Sequence, residues 1–112
     1  MNADCRLATY GTLSPGRPNH HQLSGLRGQW SGGSVRGDLH DAGWGAAQGY
    51  PGLVLNPTGE TVAVDLFSSD DLPDHWARLD AFEGDGYRRV VAEVTTSQGA
   101  VAAYIYVLIT PA

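Results

Sequence analysis

Tyr87-Arg88-Arg89-Val90-Val91-Ala92-Glu93-Val94-Thr95-Thr96-Ser97-Gln98-Gly99-Ala100-Val101-Ala102-Ala103-Tyr104-Ile105-Tyr106-Val107-Leu108-Ile109 reads as two β-strands around one turn. Val90, Ala92 and Val94 recur at every second position, so Tyr87 to Thr95 presents one apolar face. Ser97-Gln98-Gly99 reverses the chain, and Ala100 to Ile109 is rich in the β-branched and aromatic residues that suit a pleated surface.

Upstream of this pair the period changes. Leu72, Trp76, Leu79 and Phe82 fall at i, i+4, i+7 and i+10, the spacing of one helix face. Asp70, Asp71 and Asp74 place negative charge near Pro73 at its start, where the backbone dipole favours it, and Gly84 stops it. Before the helix, Val62, Val64 and Leu66 alternate as a half-buried strand. Leu53-Val54-Leu55 is a short apolar run. Asn56-Pro57-Thr58-Gly59 lies between the two as a strong turn signal and predicts a hairpin.

The N-terminal half is more punctuated. Arg6 to Tyr10 predicts a first strand, followed by the loop Gly11-Thr12-Leu13-Ser14-Pro15-Gly16. Asn19 to Leu23 predicts a short helix opening near Pro18 or Asn19. Gly25 to Gly33 shows no period, and Val35, Gly37 and Leu39 share one side of a further strand. Gly43 to Pro51 reads as an irregular loop carrying Trp44 and Tyr50. The pattern predicts an α+β fold: a small, mostly antiparallel β-barrel of about six strands with one or two short flanking helices. No linker or repeat divides the 112 residues, so residues 1–112 are expected to form one domain.

Composition narrows the function. The net charge is −5, with 12 acidic residues against 7 basic ones, which argues against a nucleic-acid or anionic-membrane partner. No apolar run approaches a membrane span, and the acidic N-terminus lacks a signal-peptide pattern; a cytoplasmic location is expected. The basic residues are all Arg, so phosphate binding by a Walker-type Lys and Schiff-base chemistry are excluded. A nucleophile-elbow Gly-x-Ser-x-Gly and a dinucleotide fingerprint are also missing. His20 and His21 are adjacent and His40 and His75 are isolated, so no metal site is expected. Cys5 is expected to be structural. Trp30 and Trp44 lie in glycine-rich segments, as core residues or as walls of a pocket.

Two features carry chemistry. Tyr10-Gly11-Thr12-Leu13 follows the first strand; it reads first as an ordinary turn, and second as a cradle whose backbone N–H groups could receive a carboxylate or an oxyanion. Glu83 ends the helix, where the dipole disfavours a carboxylate. It is either simply exposed or held there for function, with Asp80 and Asp85 nearby as further acids of a paired-carboxylate site or as solvated surface. Arg89 is a partner for Glu83 or Asp80.

The ordered set Tyr10-Gly11-Thr12-Leu13, Gly16, Pro18-Asn19-His20, Tyr50-Pro51-Gly52-Leu53, Leu79-Asp80-Ala81-Phe82-Glu83-Gly84 and Tyr87-Arg88-Arg89-Val90 resembles the gamma-glutamylcyclotransferase-like family, in particular its gamma-glutamylamine cyclotransferase branch. The resemblance runs from Tyr10 to about Val107. It implies an enzyme that needs no cofactor and releases 5-oxoproline and a free amine from a gamma-glutamylamine or related small molecule. It also implies that Glu83 is the catalytic acid/base, and that Tyr10, Gly11, Thr12 and Leu13 bind the gamma-glutamyl group through backbone groups. An aromatic residue of the last strand is implied at the pocket edge; Tyr106 is the choice and Tyr104 the rival. Ser14-Pro15 departs from the basic or polar pair common in that loop, which bears on the leaving group. The competing expectation is a non-catalytic module that binds gamma-glutamyl or amino-acid ligands. A monomer or weak homodimer is expected.

Overall fold

The computed structural model of the protein describes residues 3–11, 13–17, 19–40 and 52–109. The strands are β1 (Arg6–Thr9), β2 (Gln29–His40), β3 (Gly52–Leu55), β4 (Glu60–Ser68), β5 (Tyr87–Thr96) and β6 (Gly99–Leu108). The helices are α1 (His21–Ser24) and α2 (Trp76–Glu83), and a 3-10 turn, Leu72–Asp74, leads into α2. Among the described residues no helix is long and apolar enough to cross a membrane.

The strands run in the order β3-β2-β4-β1-β6-β5, and β5 returns to β2 at Ser34↔Thr95. Five strands thus close a barrel, and β3 adds to its rim against β2. The pairings are antiparallel except β1 with β6, which run parallel through Leu7↔Tyr104 and Ala8↔Ile105. The predicted small, mostly antiparallel barrel with two short helices is the observed architecture.

Two apolar clusters follow from strand alternation. Ala8, Leu66, Ile105 and the Val35, Val62, Val64 and Val94 side chains fill the barrel. Their neighbours Leu7, Phe67 and Tyr106 point the other way and pack with Leu13, Leu23, Leu72, Trp76 and Leu79. β1, β4 and β6 are therefore covered on both faces. Leu7, Leu72 and Leu79 are fully buried, each contributing roughly 1.5–3 kcal/mol relative to an exposed side chain. The helix row predicted for α2 keeps its register: Leu72, Trp76 and Leu79 are buried and Phe82 packs beside them. Pro73 sits in the 3-10 turn, so the α-helix proper begins only at Trp76.

The stretch Gly25 to Gly33, which shows no period, ends inside a strand: β2 begins at Gln29 and runs through Gly32 and Gly33. A Cβ at Gly33 would lie 2.7 Å from Val94 Cγ1 and 3.0 Å from the Thr95 carbonyl, so glycine there lets β5 close the barrel. Leu39 shares the side of Val35 and Gly37 but is half exposed, because β2 there extends past the barrel to pair with β3.

The hairpin expected across Asn56–Gly59 needs correction. β3 and β4 do not form a hairpin with each other; they lie on opposite edges of β2, with Leu55 and Glu60 both in register with Gly37. The turn Asn56–Gly59 steps across β2 instead. Asn56 N–H donates to the Arg36 carbonyl, and a Cβ on Gly59 would come within 2.8 Å of the Gly37 carbonyl oxygen. Two glycine backbones meet at that crossing because no side chain fits between them. Trp30 stacks on Phe67 at 4.8 Å between ring centroids, as part of the outer cluster. The predicted loop Gly43 to Pro51, with Trp44, lies outside the described residues.

Candidate active site

The parallel pairing of β1 with β6 brings the C-terminal ends of both strands to one rim of the barrel. Tyr10 follows β1 directly. Its hydroxyl donates to the Tyr106 carbonyl at 2.7 Å and accepts from the Leu53 N–H at 3.1 Å. One phenol thus ties the first strand to the last and to β3.

The loop after Tyr10 is held by short contacts. Gly11 offers its carbonyl to the Ser14 N–H at 3.2 Å. Thr9 Oγ1 donates to the Asp65 carbonyl, so the buried Ser14 hydroxyl donates to Thr9 Oγ1 at 2.7 Å. Leu13 buries its side chain in the outer cluster, and its carbonyl accepts from His20 Nδ1 at 3.2 Å. His20 packs tilted on Trp30 at 5.4 Å between ring centroids. Ser14 and His20, quoted above only as parts of the loop's motifs, act as its braces. Thr12 lies outside the described residues.

Glu83 is the last residue of α2 and is only 8 % exposed. Exposure at the helix end, the bland alternative, is thereby replaced by burial. Gly84, with φ of 81°, caps the helix and returns its N–H to the Asp80 carbonyl. Removal from water pushes the Glu83 carboxyl up to about 7. Burial likewise pushes the Tyr10 and Tyr106 phenols up, and the charge of Glu83 adds to both shifts. Glu83, Tyr10 and Tyr106 therefore occupy one electrostatic neighbourhood, with Tyr87 acting on Tyr10 as well.

Asp80, three residues before Glu83, behaves oppositely. Partial burial works to raise its carboxyl, but hydrogen bonds from Arg89 and Tyr106 outweigh this and hold it below the usual carboxylate range. Arg89 Nε donates to Asp80 Oδ1 at 2.8 Å, and Tyr106 Oη donates to the same oxygen at 2.7 Å. Of the two partners considered for Arg89, Asp80 is the one in contact. The guanidinium lies 4.5 Å from the Trp76 ring and 4.3 Å from the Tyr104 ring, so its orientation is fixed by stacking. Tyr104 packs edge-on against Trp76, while Tyr106, two residues on, lies between Tyr10 and Asp80.

Two carboxylates at one helix end are thus pushed apart: Asp80 stays ionised, and Glu83 titrates near neutrality. Such a pair separates a fixed charge from a group that can take and return a proton at physiological pH. Among the described residues no group of three ligating side chains could hold a metal ion. Open clefts also lie between Arg27 and Asp71 and between Arg36 and Val91, but neither adjoins Glu83.

The family model described as gamma-glutamyl cyclotransferase, AIG2-like, matches residues 7–111. No curated protein sequence matches the chain. Among solved structures, YkqA from Bacillus subtilis is 30% identical with a TM-score of 0.72, over 96% of this chain and 36% of that one. The present chain thus spans about a third of YkqA. An aig2-like protein from Mus musculus is 26% identical with a TM-score of 0.70, over 96% of this chain and 79% of that one. An uncharacterized protein from Pyrococcus horikoshii is 25% identical with a TM-score of 0.64, over 96% and 80%. With its fold and nearly its whole length matched, the chain belongs to the AIG2-like gamma-glutamyl cyclotransferase family.

Proposed function

We propose that this protein is a gamma-glutamyl cyclotransferase that releases 5-oxoproline and a free amine from a gamma-glutamylamine or a related gamma-glutamyl compound. The observation that carries the reading is the buried Glu83 carboxyl, raised to about 7 beside the Tyr10 and Tyr106 phenols. Family membership supports the same chemistry.

In this reading the substrate's α-amine attacks its own γ-carbonyl carbon, forming the C–N bond of a five-membered lactam. Glu83, as carboxylate, takes a proton from the amine. As the tetrahedral centre collapses and the original C–N bond breaks, the protonated Glu83 returns that proton to the departing amine. One carboxyl serves both steps because its pKa lies near working pH; such help is worth about 10²–10⁴-fold. The tether supplies proximity, leaving the protein to hold the substrate bent. Backbone groups of Gly11, Thr12 and Leu13 would grip the gamma-glutamyl group, and Tyr106 would border it.

The test is 5-oxoproline release from a panel of gamma-glutamylamines and gamma-glutamyl dipeptides, with Glu83→Gln as the paired control. Product from wild type and none from a folded variant is the expected result. No product from wild type across the panel, with gamma-glutamyl ligands bound equally by both proteins, would assign a binding module instead. Free glutamate as the product would make the protein a hydrolase.

A further inference from the structure

Tyr106 touches both halves of the candidate site through different atoms. Its backbone carbonyl accepts from Tyr10, and its hydroxyl donates to Asp80, one turn before Glu83 on α2. Helix α2 has eight residues, and its buried apolar anchors, Trp76 and Leu79, lie in its first half. In the last half Ala81 is exposed and Phe82 only partly buried, so Asp80 supplies a polar tether where apolar packing thins. Two acids and no base occupy that final turn, an arrangement the helix dipole disfavours. Arg89 reaches in from β5 to offset it, clamped between Trp76 and Tyr104. The Asp80 side chain is 44% exposed, and ion pairs so exposed contribute little to stability. Stability alone is therefore a weak reason for this arrangement.

We propose that Asp80 is a positioning residue: locked by Arg89, its carboxylate grips the Tyr106 hydroxyl and thereby fixes the end of α2, and Glu83 with it, against the rim formed by Tyr10 and Tyr106. The kinetic arm of this inference rests on the cyclotransferase reading; its spectroscopic arm does not. Tyr10 from the loop and Tyr106 from β6 are the titratable groups on which the Glu83 charge acts; Asp80 precedes it on α2, Asp85 follows two residues on, Arg89 from β5 holds Asp80, and Tyr87 from β5 acts on Tyr10.

Tyr106→Phe is the decisive variant because it removes the bond to Asp80 without changing any charge and keeps the ring in the core. Asp80→Ala is its companion. The Glu83 carboxyl is followed by NMR titration, and kcat and KM are measured on the substrate found in the panel. With the tether cut, water reaches the helix end. The Glu83 midpoint is expected to fall by about one pH unit or more in Tyr106→Phe. kcat is expected to drop roughly 10²-fold, as for an ångström-scale misplacement, with KM nearly unchanged. The double variant should lose no more than the worse single one, because both cut the same bond. A kcat loss in Tyr106→Phe with the Glu83 midpoint unmoved would make the phenol a direct substrate contact and overturn the proposal. An unchanged kcat would overturn it too. If wild type turns over no gamma-glutamyl substrate, the functional reading fails while the midpoint alone still decides the positioning role: a fall supports it and no change refutes it.

Discussion

The Tyr10 hydroxyl donates to the Tyr106 carbonyl at 2.7 Å, across 96 positions of sequence. The parallel register explains the meeting: Ala8 pairs with Ile105, so both chains leave the barrel on the same side. The helix end with Glu83 is held at that rim through Asp80 and the Tyr106 hydroxyl. A loop, a strand end and a helix end converge because one parallel pairing interrupts an otherwise antiparallel barrel. The candidate site is thus a product of topology, and the raised Glu83 carboxyl follows from the burial that this topology imposes.

Burial of Glu83 predicts a pH-dependent cost to folding. Its carboxyl titrates at about 7 when folded, above its ordinary 4.5. Between these values the folded protein keeps a proton that the unfolded chain has released. Stability from this group is therefore full below the unfolded value and is lost as pH rises from about 4.5 to about 7, by an amount on the order of 3 kcal/mol at most. Glu83→Gln removes the titration. Urea unfolding should find the variant more stable than wild type at pH 8 and close to it at pH 4.5. Equal stability gaps at both pH values would show that Glu83 is not buried as an acid.

The same carboxyl should appear in the kinetics. In the proposed reaction Glu83 accepts the ammonium proton and must be ionised in the free protein, so kcat/KM should rise with pH through a midpoint of about 7. Asp80 cannot supply this limb, because Arg89 and Tyr106 keep it ionised. His20, whose ring nitrogen bonds the Leu13 carbonyl in the same loop, serves as the control. In His20→Asn the limb should keep its midpoint. A limb that vanishes in that variant would move the acid/base role away from Glu83.

The α2 helix, the β5–β6 pair and the β4 strand were legible because their side chains repeat with a period the backbone enforces. Leu72, Trp76 and Leu79 could not occupy separate faces of a helix, nor could Val62, Val64 and Leu66 in a strand. The β3–β4 connection was not legible. Asn56-Pro57-Thr58-Gly59 encodes a reversal but not the edge on which the chain lands, and crossing Gly37 leaves no local signature. Nor could Gly32-Gly33 announce a strand, since glycine has no side chain to alternate. At the site, the ordered motifs pointed to Glu83, while its own neighbourhood pointed to an exposed acid; only the rim supplies the burial. The Asp80–Tyr106 bond spans 26 positions between a helix and a strand, and no short-range pattern encodes it.

The crossing of β2 predicts a sensitive glycine, Gly37. A Cβ at Gly37 would lie 2.6 Å from the Val54 carbonyl and 2.7 Å from Leu53 Cδ1. Backbone on one side and a buried leucine on the other leave little room to give. Gly37→Ala should destabilise by roughly 1–3 kcal/mol, the usual cost of overpacking. Gly25→Ala, where nothing lies within 4 Å, is the control and should be near neutral. Thermal melts of both variants check this, and equal melting temperatures would mean the crossing is looser than described. Because β3 carries Leu53, whose N–H binds Tyr10, Gly37→Ala should also lower activity more than its stability loss explains.

Tyr10→Phe isolates the link between loop and barrel. The phenylalanine keeps the ring's packing against the barrel core but leaves the Leu53 N–H and the Tyr106 carbonyl without the hydroxyl that bridges them. Losing a part-buried bridge of this kind should cost about 1–3 kcal/mol in urea unfolding. The loss should be independent of pH across the neutral range, because burial pushes the Tyr10 phenol up, well clear of it. That separates it from Glu83→Gln, whose effect on stability depends on pH. Turnover should fall as well, since the loop that begins at Gly11 then loses its link to β6 and β3 and keeps its contacts through Leu13, Ser14 and His20. A Tyr10→Phe protein with wild-type stability and wild-type turnover would show that the bridge holds neither the barrel rim nor the loop.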